Sequence, residues 1–210
     1  MTVVLLVIIA VVSYLLGGVN GAIISSKFLW KKDIRDYGSG NAGLTNFFRT
    51  FGVAGVLLVL AIDVLKSVVA VLIGGALMGV EGEPVVGRLF AGFCLMLGHV
   101  YPAFFQFRGG KGVLCAGVIA LMVDLRVGVI CWLIFVLVVI FTRYVSLGSI
   151  VGAAFFPVCI WAFGHTGLEA TLSLICSLLI LFKHWDNIIR LIRGTESKLN
   201  IGKTGPKKSD

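Results

Sequence analysis

Apolar residues run through this chain in long stretches, at 3–28, 51–78, 86–105, 113–123, 127–141, 145–163 and 168–182. The longest exceed the roughly 18 residues that mark a membrane-spanning helix. None alternates with the two-residue period of a barrel strand, and backbone amides in hydrocarbon must pair within their own segment, so each stretch predicts a helix. The stretch at 113–123 is about half the roughly 20 residues of a full span. The expected fold is therefore all-α: a polytopic integral membrane protein of about seven transmembrane helices, with five or six complete crossings if the short segment stops partway. The first stretch lacks a basic flank and a small-x-small cleavage site and is too long for a signal core, so it reads as a retained helix.

Composition agrees with this reading. Hydrophobic residues make up 59% of the chain and charged residues 13%, with a mean hydropathy of +1.05. No soluble domain of 210 residues hides that much apolar surface. When alternate loops are assigned to opposite faces, one face collects Lys31, Lys32, Arg35, Arg49, Arg108, Lys111, Arg143 and the residues from Lys183 onward. The other holds Arg88 and Arg126 with Glu81, Glu83 and Asp124. Basic loops stay cytoplasmic, which predicts the N-terminus outside and the C-terminus inside. The same bias, together with attraction to anionic lipid, accounts for the net charge of +8 without nucleic acid. Residues 1–201 read as one transmembrane domain, and 202–210 as a flexible polar tail. Cys94, Cys115, Cys131, Cys159 and Cys176 are scattered through apolar segments at no metal-ligand spacing, so they read as packing residues, and no metal site is expected.

The candidate chemistry lies in the basic loops. The first carries Gly38, Ser39, Gly40, Asn41, Ala42, Gly43, Leu44, Thr45 and Asn46, closed by Arg49. Glycines at Gly38, Gly40 and Gly43 let successive N–H groups turn into one concavity that binds an anion. Ser39, Asn41, Thr45 and Asn46 add side-chain donors, and Arg49 adds a charge that forks onto phosphate. The segment from Thr45 onward is expected to begin the second helix and lend its positive end.

The second constellation runs Gly98, His99, Tyr101, Pro102, Phe104, Phe107, Gly109, Gly110, Lys111 and Gly112. Gly112 follows the lysine where a nucleotide-hydrolysing loop has Ser or Thr, so no such site is implied. Lys111 still offers a point charge to a phosphate, and the aromatics suit an interface where an acyl chain enters. His99 either donates to a substrate or braces the loop.

The third is His184, Trp185, Asp186, Asn187 and Arg190, followed by Gly194, Thr195 and Glu196. His184 and Asn187 are three apart and share a helix face. Of the nearby hydroxyls at Ser146 and Ser149, Ser149 is the better candidate. Asp63 and Lys66 interrupt a span, which suggests function, although their i, i+3 spacing also allows mutual neutralisation. His165 falls on the opposite face, away from the basic motifs.

Taken in order, GSGNxGxTNxxR, GHxxPxFxxFxGGKG and HxxNIxRLxxGxE resemble the bacterial acyl-phosphate:glycerol-3-phosphate acyltransferases (PlsY type). The likeness runs from Ser13 to Glu196. It implies a seven-helix inner-membrane enzyme with its active site facing the cytoplasm. Such an enzyme makes lysophosphatidic acid from acyl phosphate and glycerol 3-phosphate in the first step of phospholipid synthesis. It also implies that Ser39, Asn41, Thr45, Arg49, Lys111, Ser149, His184 and Asn187 grip the two phosphates. Among these, Ser39, Lys111, His184 and Asn187 are the expected catalytic residues. Gly38, Gly40, Asn41, Gly43, Thr45, Asn46, Arg49, His99, Gly109, Gly110, Gly112 and Ser149 are the expected phosphate-binding ones. The chain departs from the family at Cys115, where Thr is frequent, and near Asn20, where Pro is frequent.

Acyl phosphate is a mixed anhydride with an already activated carbonyl, so the protein has mainly to position and neutralise, and no organic cofactor is needed. The His-x-x-x-x-Asp pair of the acyl-CoA class is absent, since the fifth residues after His99, His165 and His184 are Phe104, Ala170 and Ile189. The base is either His184 or a substrate phosphate oxygen. The rival reading is a transporter for a phosphorylated solute, opposed by the clustering of the motifs at one face and by the lack of an inverted repeat.

Overall fold

The computed structural model describes residues 1–199; the expected tail at 202–210 and the end of the domain at 200–201 lie outside the described residues. Among the described residues every regular element is helical: α1 (Thr2–Gly18), α2 (Gly21–Trp30), α3 (Leu44–Phe51), α4 (Val56–Gly79), α5 (Pro84–Val100), α6 (Val113–Val123), α7 (Leu125–Thr142), α8 (Val145–Ala162), α9 (Gly167–Lys183) and α10 (Trp185–Ile192). Five spans are long and apolar enough to cross a membrane, the first formed by α1 and α2 together, and a sixth if α9 and α10 count as one span bent by 57°.

Two boundaries differ from the sequence reading. The first apolar stretch is broken at Asn20, whose side-chain oxygen accepts from the Ile23 N–H at 3.0 Å and caps α2. Asn20 thus supplies a helix start, and with it the break. The helix that starts beside Thr45 does not run on into the second span. It ends at Gly52, and α4 starts after Gly55, with φ of +74° and +81° at these two glycines. That left-handed pair separates a short interfacial helix from a true span.

The exterior is apolar, with Leu57, Leu72, Leu133, Val158 and Leu174 exposed on α4, α7, α8 and α9. Buried polar residues, among them Asp63, Lys66, Ser67, His99, His184 and Asn187, lie inside. This inversion marks lipid as the outer solvent. The main core joins α4, α5, α6, α8 and α9 through Val71, Leu89, Leu95, Met96, Ile119, Phe156 and Ile160. Helix α1 crosses α5 at backbone contact: a Cβ on Gly17 would lie 2.1 Å from the Leu95 carbonyl oxygen, and one on Gly98 2.0 Å from that of Tyr14. Without a hydrophobic drive between helices in lipid, such small-residue crossings supply the packing energy.

Helix α6 has 11 residues and α7 has 18, rises of about 16 and 27 Å. They meet at Asp124, whose carboxylate accepts from the Arg126 N–H at 2.8 Å and pairs with its guanidinium at 2.6 Å. His165 stands beside it, 3.5 Å from Asp124 and 2.8 Å from Glu169, at the end of the molecule opposite the basic motifs.

Candidate active site

The first loop is a folded turn. Gly38 and Gly40 adopt φ of +60° and +68°, as a concave run of N–H groups requires. Gly43 does not: it is extended at φ −140° because it caps α3. The turn is built around Asn46, which is buried. Its amide nitrogen donates to the carbonyls of Tyr37 and Asn41, both at 3.0 Å, and its oxygen accepts from the Ser39 N–H at 2.9 Å. Asn46, expected as a phosphate donor, therefore commits its side chain to the loop. Ser39 is left exposed, and Asn41, Thr45 and Arg49 are half-buried.

The second loop folds back on α5. The N–H groups of Gly109 and Gly110 donate to the carbonyls of Val100 and His99, each at 3.1 Å, so these two glycines serve the strap rather than an anion. Gly112, at φ +79°, turns the chain into α6. The two loops meet at Gly110, where a Cβ would lie 2.6 Å from the Ala42 carbonyl oxygen and 2.3 Å from His99 Nε2. Arg35 ties them further: its guanidinium forks onto Asp33 at 2.8 and 2.9 Å and donates to the Phe105 carbonyl at 2.7 Å. Burial opposes ionisation of Asp33, but Arg35 and Lys27 outweigh it and hold the carboxyl well below its usual range.

The third motif straddles the bend. His184 ends α9 and begins α10, is buried, and its Nδ1 lies 2.8 Å from the Ile180 carbonyl. A carbonyl only accepts, so Nδ1 carries the proton and Nε2 keeps its lone pair. One turn on, Asn187 Oδ1 accepts from Lys111 Nζ, joining the second and third motifs. Asn187 Nδ2 donates to Glu196 Oε1 at 2.8 Å, as does the Ser146 hydroxyl, and Arg190 Nε donates to Glu196 Oε2 at 2.7 Å. Arg49 enters from the first motif by donating to the Ser197 carbonyl at 3.0 Å. The chain then runs on to Leu199, whose N–H bonds the Arg143 carbonyl at 2.8 Å.

Arg49, Lys111, His184, Asn187, Arg190 and Glu196 thus form one cluster, closed by the Arg49 bond to Ser197 across 148 positions of chain. Burial, and then the charge of Arg190, push Lys111 down to about 8. Burial alone would raise Glu196, but Arg190, Ser146 and Asn187 keep it below the usual carboxylate range. Glu196 was legible only as the last letter of the third motif; its place as the hub of the cluster was not. Ser149, favoured over Ser146 from sequence, bonds the Val145 carbonyl in its own helix at 2.9 Å, whereas Ser146 reaches Glu196. Ser149 instead faces a small apolar crevice between α6, α7 and α8, of about 50 Å³, lined also by Val113, Gly117, Trp132, Phe135 and Phe156. Val113 is two residues from Lys111, and the carbonyl of Ile180, which also lines the crevice, bonds His184.

Asp63 and Lys66 pair with each other at 2.8 Å. They also clamp the break between α1 and α2: Asp63 accepts from the Gly21 N–H at 3.1 Å, and Lys66 donates to the carbonyls of Gly17 and Val19 at 3.1 and 2.8 Å. Helix ends in hydrocarbon need such partners.

A family model described as glycerol-3-phosphate acyltransferase matches residues 7–194. The chain is 44% identical over 193 residues to the glycerol-3-phosphate acyltransferase of Thermoanaerobacter pseudethanolicus, covering 92% of this chain and 95% of that one. It is 41% identical over 198 residues to that of Clostridioides difficile, covering 92% and 95%. It is also similar to the crystal structure of PlsY, an integral membrane glycerol 3-phosphate acyltransferase, in its glycerol 3-phosphate form, with a TM-score of 0.83 at 30% identity, covering 93% of this chain and 96% of that one. The lysophosphatidic acid form of the same enzyme matches with a TM-score of 0.82 at 29% identity, covering 94% and 97%.

Proposed function

The chain belongs to the glycerol-3-phosphate acyltransferase family and is a multi-pass membrane acyltransferase; from that premise we propose that it moves a fatty acyl group from acyl phosphate to the 1-hydroxyl of sn-glycerol 3-phosphate, giving lysophosphatidic acid and inorganic phosphate. One observation carries this reading: Arg49, Lys111, Asn187 and His184 gather in one cluster, and an apolar crevice is lined by Val113 and Ile180, close along the chain to Lys111 and His184. Two phosphates need the cations, and an acyl chain needs the crevice.

The reaction follows from the chemistry of the donor. Glycerol 3-phosphate is held by Arg49 and Lys111, and its 1-hydroxyl attacks the acyl carbonyl. The C–O bond to phosphate breaks, and inorganic phosphate leaves, stabilised by the same cations. The departing phosphate takes the hydroxyl proton. His184 presents Nε2 as an acceptor, but its Nδ1 is fixed by a backbone carbonyl with no carboxylate behind it to strengthen it as a base. Ser39, Asn41 and Thr45 complete the grip. The site faces the cytoplasm of a bacterial inner membrane, where the basic loops are retained.

The test is purified protein in lipid with acyl phosphate and glycerol 3-phosphate. Lysophosphatidic acid and phosphate are expected in equal amounts. Intact acyl phosphate, or movement of a phosphorylated solute across the vesicle wall in place of product, would overturn the assignment. His184→Gln at saturating substrate tests the base. A loss near the roughly 10⁴-fold upper range of general acid–base catalysis would count against proton transfer to the leaving phosphate.

A further inference from the structure

Lys66 reaches past its clamp on the first span to His99: its Nζ lies 2.9 Å from His99 Nδ1, inside the protein, with Asp63 Oδ1 3.8 Å from the same nitrogen. The ammonium has four neighbours, the carbonyls of Gly17 and Val19, Asp63 Oδ1 and His99 Nδ1. A neutral amine would leave the Asp63 carboxylate buried without a counter-ion, a costly arrangement, so Lys66 is charged. A charged amine only donates, and His99 Nδ1 must therefore accept. The ring proton then sits on Nε2. That nitrogen packs against Gly110 in the seam between the two phosphate loops, 2.3 Å from where a Cβ on Gly110 would lie.

We propose that Lys66 is a positioning residue for the transfer reaction: from within the membrane it holds the His99 ring neutral with its proton on Nε2, and that ring, packed against Gly110, sets the seam from which Lys111 projects. Without the ammonium, His99 Nδ1 takes a proton and turns to Asp63. The ring then leaves its place against Gly110, and Gly110 and Lys111 lose their fixed position. The ion pair at Asp63 and Lys66 accordingly has two functions, closing the broken span and fixing a ring in the site. The kinetic part rests on the acyltransferase reading, whereas the tautomer does not.

The chain has three histidines, so nitrogen NMR of histidine-labelled full-length protein in bilayers can resolve each ring, with His165→Gln and His184→Gln assigning His99 by elimination. His99 is expected bare at Nδ1 and protonated at Nε2, the opposite of His184. A His99 protonated at Nδ1, or at both nitrogens, overturns the proposal in the unmodified protein. In Lys66→Met, His99 should change tautomer, and kcat/KM for glycerol 3-phosphate should fall on the order of 100-fold. Lys66→Arg should keep the tautomer and recover most of the rate. An unchanged tautomer in folded Lys66→Met would sink the idea even if activity fell. Should that variant fail to fold, the ring state of the unmodified protein decides. Absence of lysophosphatidic acid formation with the expected tautomer would instead count against the acyltransferase reading alone.

Discussion

Lys111 works against its own burial. Its ammonium is displaced to about 8 from 10.5 by desolvation and by Arg190, and it is the group most sensitive to mild alkali in the cluster. Below about pH 8 it is charged and able to hold a phosphate. The expected outcome is that kcat/KM for glycerol 3-phosphate declines as pH rises through about 8, and that Lys111→Arg, whose charge persists, moves that decline to higher pH. Stability should run the other way. Between pH 8 and 10.5 the unfolded chain binds more protons at this position than the folded one, so resistance to unfolding should rise across that window. The hydroxyls near the site separate similarly. Ser146→Ala removes a bond to Glu196 and should cost about 1 kcal/mol in detergent unfolding. Ser149→Ala, which gives up a bond within its own helix, should cost less than about 0.5 kcal/mol. Sequence singled out three motifs but could not divide roles within them. Asn46 and the Gly109–Gly110 pair look like anion donors by residue type, yet the loop needs those groups to hold its own shape.

At the level of helices, length and hydropathy were enough to place nearly every span, because lipid leaves a backbone few choices. The breaks were less legible. The run at 3–28 is apolar except for Ser13, Asn20, Ser25, Ser26 and Lys27, and nothing local announces that Asn20 ends one helix and caps the next. What allows the break is remote in sequence, namely Asp63 and Lys66 on α4. The crossing of α1 and α5 is likewise set by partners, since Gly17 and Gly98 are unremarkable until their carbonyl neighbours are known. Adding one methyl in Gly98→Ala should force the helices apart, at a cost of about 1–3 kcal/mol. A drop in thermal unfolding temperature with the site motifs intact would be the signature, and unchanged stability would refute the close crossing.

The whole molecule is polar within and apolar without, and its charges are unevenly shared between its ends. Basic residues crowd the end that bears Lys111, while Asp124, Glu169, Glu81 and Glu83 sit at the other. With the N-terminus outside, a cysteine at exposed Glu83 should react with a membrane-impermeant maleimide on intact cells, and one at exposed Lys32 only after the cells are opened. The reverse pattern would invert the topology and put the site outside. The pairing of α6 with α7 has one more consequence for this geometry. Because the two share an end at Asp124 but differ by seven residues, the other end of α6 stops roughly 10 Å short of that of α7. Lys111, two residues before α6, is therefore set back from the end of α7. On the acyltransferase reading, a water-soluble acceptor would meet its lipid-borne donor at a cation recessed among the helix ends.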